Sequence, residues 1–252
     1  TVDRDLPNET VAGTYNNFYE ISTQKEKVHL LGKKFKTDPW TLKIHGEVNN
    51  PLTLDLDQLM HLFPLEERNY RFRCVEAWAM TVPWTGFPLS ELIKKVEPNS
   101  KAKYLRFVTV KKSVAEAPGM AYTQWPWPYF EALRLDEAMN ELALVTVGIY
   151  GHRMPTAHGA PIRIIVPWKY GFKNPKSVVE IEFTEKRPAT FWNTCNPQEY
   201  GWASNVEPHI PHPRWSQAEE RIIGTGDPNG WETVPSQLYN GYEKQVAHLY
   251  KE

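Results

Sequence analysis

The sequence predicts an α+β fold, and three observations support this prediction. Six segments are rich in β-branched and apolar residues, which is typical of strands. They are residues 41–48, 69–75, 103–110, 143–150, 161–166 and 177–184. Two other segments, 54–63 and 88–96, have apolar residues at helical spacing, and Pro88 suits the first turn of the second helix. Strands and helices do not alternate as βαβ units would, which favours mixed sheets with short helices.

The length of 252 residues fits one large domain. Prolines are spread along the chain and are not gathered into a linker, so we expect a single domain over residues 1–252, with its N- and C-terminal segments packed on it. Near the C-terminus four apolar residues keep near-helical spacing: Leu238, Tyr242, Val246 and Leu249. This pattern predicts a short amphipathic tail that docks on the body of the protein.

The charge is nearly balanced, with 29 Lys and Arg against 30 Asp and Glu. A net charge of −1 gives no general attraction to nucleic acid or to anionic lipid. No stretch approaches the roughly 18 apolar residues of a membrane-spanning helix, so we expect no span. The sequence starts at Thr1, which is consistent with a removed targeting segment or with a shortened sequence.

Cys74 lies in an unusual segment, residues 71–78. If this segment is a strand up to the cysteine, Phe72 and Cys74 share one face, and Arg71 and Arg73 share the other. The arginines would then flank the thiol without contacting it, and nearby cations favour the thiolate that attacks a substrate or binds a soft metal. The alternative is an inert buried thiol, since free cysteine is among the most buried residue types.

Basic residues follow the strand predicted at 161–166. They are Lys169, Lys173 and Lys176, and together with Arg163 and Ser177 they offer donors for the phosphate of a cofactor. The alternative is a solvated lysine turn. A third segment, residues 15–20, places side-chain amides and a carboxylate that match the edges of a heterocycle, or it forms a simple N-terminal turn.

These segments, taken together, resemble the sulfite-oxidase-like molybdopterin oxidoreductases. The most similar branch is that of the bacterial periplasmic protein-methionine-sulfoxide reductases. The matching stretches run in order along nearly the whole chain: 16–20, 39–44, 63–68, 73–78, 83–84, 86–89, 159–173 and 212–217.

The resemblance implies a Mo-molybdopterin cofactor, with one molybdenum held by the dithiolene of one pyranopterin and by a protein thiolate. Cys74 would be this metal ligand and the central catalytic residue, in agreement with the affinity of soft metals for sulfur. The residues implied to bind the cofactor are Asn16, Tyr19, Glu20, Thr109, His158, Arg163, Asn174, Pro175 and Lys176. Among them, Asn174 and Pro175 would act mainly through their backbone groups.

Two residues depart from the most similar branch. That branch has Asn at the position of His158, whereas the pattern HGxPxR at 158–163 is typical of sulfite oxidases, so the substrate remains open between the two. Cys195 lies outside the family pattern, and we expect a buried or free thiol there.

The resemblance also implies an activity and partners. It implies reduction of methionine sulfoxide residues in oxidised periplasmic proteins by oxygen-atom transfer. The open mouth that such substrates require would be rimmed by Trp78, Trp125 and Trp127. Electrons would come from a membrane-embedded haem subunit of the MsrQ type. The catalytic subunit would be a monomer, exported by the twin-arginine route, without the haem and immunoglobulin-like domains of eukaryotic sulfite oxidases.

Two alternatives belong to different classes. The chain could be a family member that oxidises sulfite or reduces small S- or N-oxides. It could also be a non-catalytic exported binding domain held by a Cys74–Cys195 bridge.

Overall fold

The computed structural model describes residues 4–224 and 230–251. The strands within these ranges are β1 Thr41–Gly46, β2 Leu52–Asp55, β3 Glu66–Arg73, β4 Trp78–Pro88, β5 Tyr104–Thr109, β6 Phe130–Arg134, β7 Leu144–Ile149, β8 His152–Arg153, β9 Arg163–Ile165, β10 Val178–Thr184, β11 Glu219–Ile222 and β12 Glu232–Pro235. The α-helices are α1 Glu9–Thr14, α2 Val28–Leu31, α3 Leu56–Leu62, α4 Leu89–Val96, α5 Leu135–Ala138, α6 Phe191–Cys195 and α7 Glu243–Val246.

The strands form two mixed sheets. The first has the order β2–β1–β10–β5–β6, in which β1 and β10 are parallel. The second has the order β12–β11–β4–β7–β8, with β3 added to β4 and β9 added to β7. Mixed sheets with short helices confirm the predicted α+β class.

All six predicted strands are confirmed, as β1, β3, β5, β7, β9 and β10. The longest strand, β4, was not predicted, because Pro83, Gly86 and Pro88 interrupt its apolar pattern. It nevertheless pairs with β3, β7 and β11. A register shift between Thr85 and Gly86 fits the strand to β7. At Gly86 a Cβ atom would lie 2.1 Å from the Val145 carbonyl oxygen, so only glycine allows this approach.

The two predicted helices are confirmed as α3 and α4. Helix α3 begins with a capping box, in which Asp55 and Gln58 each accept a backbone N–H of the other. Pro88 was expected in the first turn of α4. It is instead the residue immediately before the helix, and it also ends β4. The chain leaves α4 through Glu97 in the left-handed conformation, with φ of 52°.

The C-terminal tail docks as predicted, although it is not one continuous helix. A kink at Tyr239 and Asn240, both with positive φ, lies inside the 3₁₀ turn Leu238–Gly241 that precedes α7. Val246 is fully buried. At the end of the tail the Tyr250 hydroxyl accepts a hydrogen bond from the Trp168 indole at 2.7 Å and donates one to Glu137 at 2.7 Å. Within residues 4–224 and 230–251, no helix is long and apolar enough to cross a membrane.

Candidate cofactor site

Cys74 is the first residue of the loop that joins β3 to β4. The Cys74 N–H donates to the Trp78 carbonyl at 2.9 Å, and the Ala77 N–H donates to the Cys74 carbonyl at 3.1 Å. Ala77 turns the chain with a φ of 63°. The hairpin therefore fixes the backbone on both sides of the thiol.

The loop is also held from the side opposite the thiol. Arg73 is fully buried and forms an ion pair with the equally buried Glu220, with Nε 2.8 Å from Oε2. Its Nη2 group donates to the Gln217 side chain at 2.9 Å, and its Nη1 group donates to the Cys74 carbonyl. Gln217 and Trp215 both donate to the Val75 carbonyl at 2.7 Å. The strand alternation predicted for this segment thus places Arg73 away from the thiol, where it anchors the loop.

Asn17 and Glu76 surround the thiol. The Asn17 amide lies 3.4 Å from the Cys74 Sγ atom and donates to Glu76 Oε2 at 2.9 Å. The same carboxylate oxygen receives the Trp78 indole N–H at 3.2 Å and lies 3.0 Å from the Lys25 ammonium. Burial alone would raise the pKa of Glu76, but its contacts with Asn17, Lys25 and Trp78 hold it below the usual value. Glu76 is therefore a fixed carboxylate beside the cysteine.

Burial decides the protonation of the free thiol. It raises the pKa of Cys74 to about 12, with a further contribution from the negative charge of Glu76. Arg73 and Lys25 act in the opposite direction but are weaker. The prediction that flanking cations favour the thiolate is therefore wrong for the free side chain. A metal ion bound to the sulfur would itself have to displace the proton.

Nearly all the predicted site residues line one cavity around this thiol. They are Asn16, Tyr19, Glu20, Cys74, His158, Arg163, Asn174, Pro175 and Lys176. Thr109 is not among the lining residues. It is buried at the end of β5, where its N–H donates at 2.9 Å to the carbonyl of Tyr129, which does line the cavity.

One wall of the cavity consists of cationic groups and unpaired donors. The Arg163 guanidinium lies over the Trp84 and Phe72 rings, at 4.8 and 5.2 Å from their centroids. Its Nη1 group donates to the His158 carbonyl at 2.5 Å, while Nε and Nη2 are buried without a partner. The indole N–H of Trp84 and the Nε2 atom of His158 are also unpartnered. Buried polar groups are normally paired, so this wall is suited to a polar ligand.

Electrostatics at this wall favour an anion. Burial lowers the pKa of Arg163 to about 9, and burial with the nearby Lys176 and Arg163 charges lowers that of His158 to about 3. Burial also holds the pKa of Lys176 well below its usual value. Glu20 has a pKa raised to about 7 by burial, against the opposing effects of its backbone N–H and Lys176. A phosphate would compensate these poorly solvated cations, so the residues fit a phosphorylated cofactor.

Lys176 links the two sequence segments that form the wall. Its ammonium donates to the Asn17 carbonyl at 2.6 Å and to the Ala157 carbonyl at 3.3 Å, and it lies 4.9 Å from the Phe18 ring centroid. The segment at 15–20, predicted from its amides, is thus joined to the basic segment of the chain.

Lys169 and Lys173 do not contribute to this wall, contrary to the prediction. Lys169 is fully enclosed and lies 2.6 Å from Glu137. Lys173 is equally enclosed and forms an ion pair with Glu131. Both ammonium groups are used inside the protein, so Arg163 and Lys176 remain as the basic residues of the predicted patch that face the cavity.

The amide side chains of Asn16 and Asn174 are used within the protein. Asn16 donates to the Ala12 and Gly13 carbonyls, at 3.2 and 2.9 Å, at the end of α1. Asn174 accepts the Val166 N–H and donates to the Tyr170 carbonyl at 3.1 Å. The backbone N–H of Asn174 also donates within the protein, to the Gly171 carbonyl at 3.1 Å.

Several lining residues were not predicted as site residues: Asn17, Glu76, Tyr129, Phe172, Trp192 and Tyr200. Asn17 and Glu76 lie inside the conspicuous segments and could have been found there, whereas Trp192 and Tyr200 lie in no motif. Of the predicted rim residues, Trp78 lines the cavity. Trp125 lies one layer outside, 5.5 Å from the Tyr19 ring and 5.7 Å from the Trp192 ring. Trp127 packs against Trp125 in turn, at 5.6 Å.

Both cysteines are free thiols. Cys74 is buried in the cavity wall and Cys195 is partly exposed in α6. The Cys74–Cys195 bridge of the binding-domain alternative is therefore not formed.

Comparison with known families decides the class of the protein. The family described as Oxidoreductase molybdopterin binding domain matches residues 29–192, which is more than half of the chain. The chain belongs to this family. It therefore contains the molybdopterin-binding domain of an oxidoreductase family, and its cofactor is Mo-molybdopterin. The matched range includes Cys74 and the basic wall, whereas residues 16–20 lie outside it.

A solved structure shows the same fold. The crystal structure of the sulfane dehydrogenase SoxCD from Paracoccus pantotrophus matches this chain with a TM-score of 0.52 and 16% sequence identity. The match covers 74% of this chain and 55% of that one. At this identity the likeness concerns the fold alone.

Proposed function

We propose that this molybdopterin oxidoreductase reduces methionine sulfoxide residues in proteins, as the catalytic subunit of a reductase of the MsrP type. The observation that carries the proposal is the position of Cys74, which is buried at a cavity whose outer part is lined by aromatic rings. Tyr19, Phe172, Trp192 and Tyr200 are all partly exposed there. Sulfur-containing side chains make favourable contacts with aromatic rings, so this mouth suits the side chain of an oxidised methionine.

Cys74 would hold the molybdenum through its sulfur, and Arg163, His158 and Lys176 would hold the phosphate and pterin. When bound, the cofactor supplies oxygen-atom transfer coupled to two electrons. The hairpin and the Arg73–Glu220 ion pair would keep the sulfur in place, because they fix the backbone of its loop.

Proton supply would involve Glu76 and Lys25. Reduction of a sulfoxide to a thioether consumes two electrons and two protons and releases one water. The Lys25 ammonium lies 3.0 Å from the Glu76 carboxylate and is 20% exposed. The Lys25 ammonium would therefore give a proton to the substrate and regain it from solvent, while Glu76 stays a carboxylate that holds it in place.

The electron donor and the compartment follow from the resemblance of the quoted segments. We propose a membrane-embedded haem subunit of the MsrQ type as donor and the periplasm as location. The catalytic subunit would act as a monomer on oxidised proteins.

A second candidate is oxidation of sulfite, and His158 favours it. This residue lies on the cavity wall beside Arg163 and Lys176. It is part of the pattern HGxPxR at 158–163, which is typical of sulfite oxidases.

The test uses the full chain produced with molybdate in a host that makes Mo-molybdopterin. Molybdenum content is measured first. Two assays follow: reduction of an oxidised, methionine-rich protein with a reduced dye, and oxidation of sulfite with an artificial acceptor. We expect about one molybdenum per chain and turnover of the oxidised protein. Sulfite oxidation without sulfoxide reduction would assign the second candidate instead.

Two variants complete this experiment. Cys74→Ser should lose both activity and most of the molybdenum, because the soft ligand is removed. Cys195→Ser is the matched control and should keep both. Normal metal content and turnover in Cys74→Ser would overturn the assignment of the metal ligand.

A further inference from the structure

A basic and apolar surface lies beside the cavity, on residues 27–36 and 111–114. We call it the lysine–leucine face. Its exposed basic and aliphatic residues are Lys27, Leu30, Leu31, Lys33, Lys34, Lys36, Lys111 and Val114. Leu30, Leu31 and Val114 are 53%, 40% and 52% exposed, which is high for aliphatic side chains.

The two segments form one continuous surface because they pack on the same rings. The Lys112 ammonium lies 5.4 Å from the centroid of Phe35 and 5.9 Å from that of Trp40. Phe35 is buried beneath the first segment. Lys112 also pairs with Glu116 at 3.3 Å, which holds the second segment in place.

The charge of this surface is strongly positive, although that of the whole chain is −1. Five exposed lysines, at 27, 33, 34, 36 and 111, face two nearby exposed carboxylates, Glu26 and Asp38. Lys112 is neutralised by Glu116. The balanced overall composition therefore conceals a local cluster of the kind that attracts anionic lipid headgroups.

The exposed leucines give the surface its second property. In α2, Val28 points into the core and is fully buried, which leaves Leu30 and Leu31 outside. Aliphatic side chains surrounded by lysines are typical of segments that lie in a membrane interface, where the apolar groups enter the boundary of the acyl chains. A soluble acidic partner would use the lysines but would leave these leucines unexplained.

We infer that the lysine–leucine face binds the surface of an anionic lipid bilayer, without crossing it. The lysines would contact the headgroups, and Leu30 and Leu31 would insert between them. The inference depends on this surface alone and not on the substrate of the enzyme.

Membrane binding through this face would bring the cavity close to the bilayer. Phe35 packs against Phe18, with 5.8 Å between the ring centroids, and Phe18 lines the cavity. Two packed rings, Phe35 and Phe18, thus separate the face from the cofactor site. An electron donor embedded in the same membrane would then lie close to the cofactor site.

The experiment measures sedimentation of the full chain with vesicles. One set contains three parts phosphatidylethanolamine to one part phosphatidylglycerol, and the other contains phosphatidylcholine only. We expect binding to the anionic set at low salt, a large decrease in 0.5 M NaCl, and no binding to the neutral set. Each lysine near an anionic surface strengthens binding by roughly fivefold, so Lys33→Gln with Lys34→Gln should weaken it by about 30-fold.

Matched double variants separate this face from general surface effects. Leu30→Asn with Leu31→Asn should reduce the binding that survives salt, whereas Leu62→Asn with Leu65→Asn, which are 38% and 41% exposed elsewhere, should not. Lys101→Gln with Lys103→Gln is the charge control, before the opposite end of β5.

Three results would overturn the inference. The first is no binding to anionic vesicles at low salt. The second is an equal loss in the control variants. The third is a dimer in solution that Leu30→Asn with Leu31→Asn dissociates, since the face would then belong to a second copy of the chain.

Discussion

The Cys74 sulfur and the Glu76 carboxylate lie 3.8 Å apart and share the Asn17 amide between them. Both residues come from one hairpin loop, and the carboxylate is held by contacts with Lys25 and Trp78. The negative charge beside the sulfur is therefore a fixed part of the site. Its removal should alter the reaction more than the folding of the loop.

Glu76→Gln should lower turnover by about 10- to 100-fold, in the range of residues that support a metal ligand. Molybdenum content should stay near that of the parent, because Cys74 is retained. The measurement is the rate per bound molybdenum. Glu26→Gln, an exposed neighbour, is the control. An unchanged rate in Glu76→Gln would show that the carboxylate only fills space.

Arg163→Met should weaken retention of the cofactor at least about tenfold, because two buried N–H groups that await an anion are removed. The cofactor-free protein should melt no lower than the parent, since an unpaired buried charge is also removed. Lys173→Met gives the contrast. It leaves the enclosed Glu131 carboxylate unpaired and should destabilise the protein by about 3–5 kcal/mol. Equal melting temperatures for the two variants would contradict this reasoning.

Glu20 should make the cofactor-free protein less stable as pH rises. Its pKa is about 7 in the folded chain against an ordinary value of 4.5, so folding favours its protonated form. The stabilisation is complete below pH 4.5 and is lost as pH rises through 7, by about 3 kcal/mol in total. Glu20→Gln removes this dependence. Urea unfolding of both proteins between pH 5 and 8.5 tests it, and parallel pH profiles would refute it.

Gly86→Ala should destabilise the fold by about 3 kcal/mol or more, because the new Cβ would lie 2.1 Å from the Val145 carbonyl oxygen in the adjacent strand. Gly224→Ala is the control, since no atom lies within 4 Å of its Cβ position. Thermal unfolding compares the two. Similar melting temperatures would mean that the sheet can relax at this point.

Much of the fold and site could be predicted because the signals are local. Strand periodicity found β3 and placed Phe72 on the cavity side with Cys74. The amides at 15–20 and the basic residues from Arg163 to Lys176 each indicate a ligand from the sequence alone. Strand β4 is not predicted because Pro83 and Gly86 ordinarily indicate a turn. The segment is a strand because it pairs with three neighbouring strands.

The wrong predictions have a common physical cause. Each of them is decided by residues that are distant in the sequence. Lys169 and Lys173 were assigned to a phosphate, but their carboxylate partners lie in α5 and β6, more than 30 residues earlier in the sequence. Thr109 does not line the cavity, whereas Tyr129, whose carbonyl accepts the Thr109 N–H, does. The prediction that the arginines favour the thiolate is wrong because burial raises the pKa of the thiol by more than their positive charge lowers it. Burial of this kind cannot be seen in residue spacing.

The ion pair between Arg73 and Glu220 also sets an order of events during synthesis. The cysteine loop is fixed by residues 215–220, which are made almost 150 positions after it. A ribosome-bound fragment that ends before Glu220 would lack this anchor. We therefore expect the cysteine loop to be ordered for molybdenum only after residue 220 has left the ribosome.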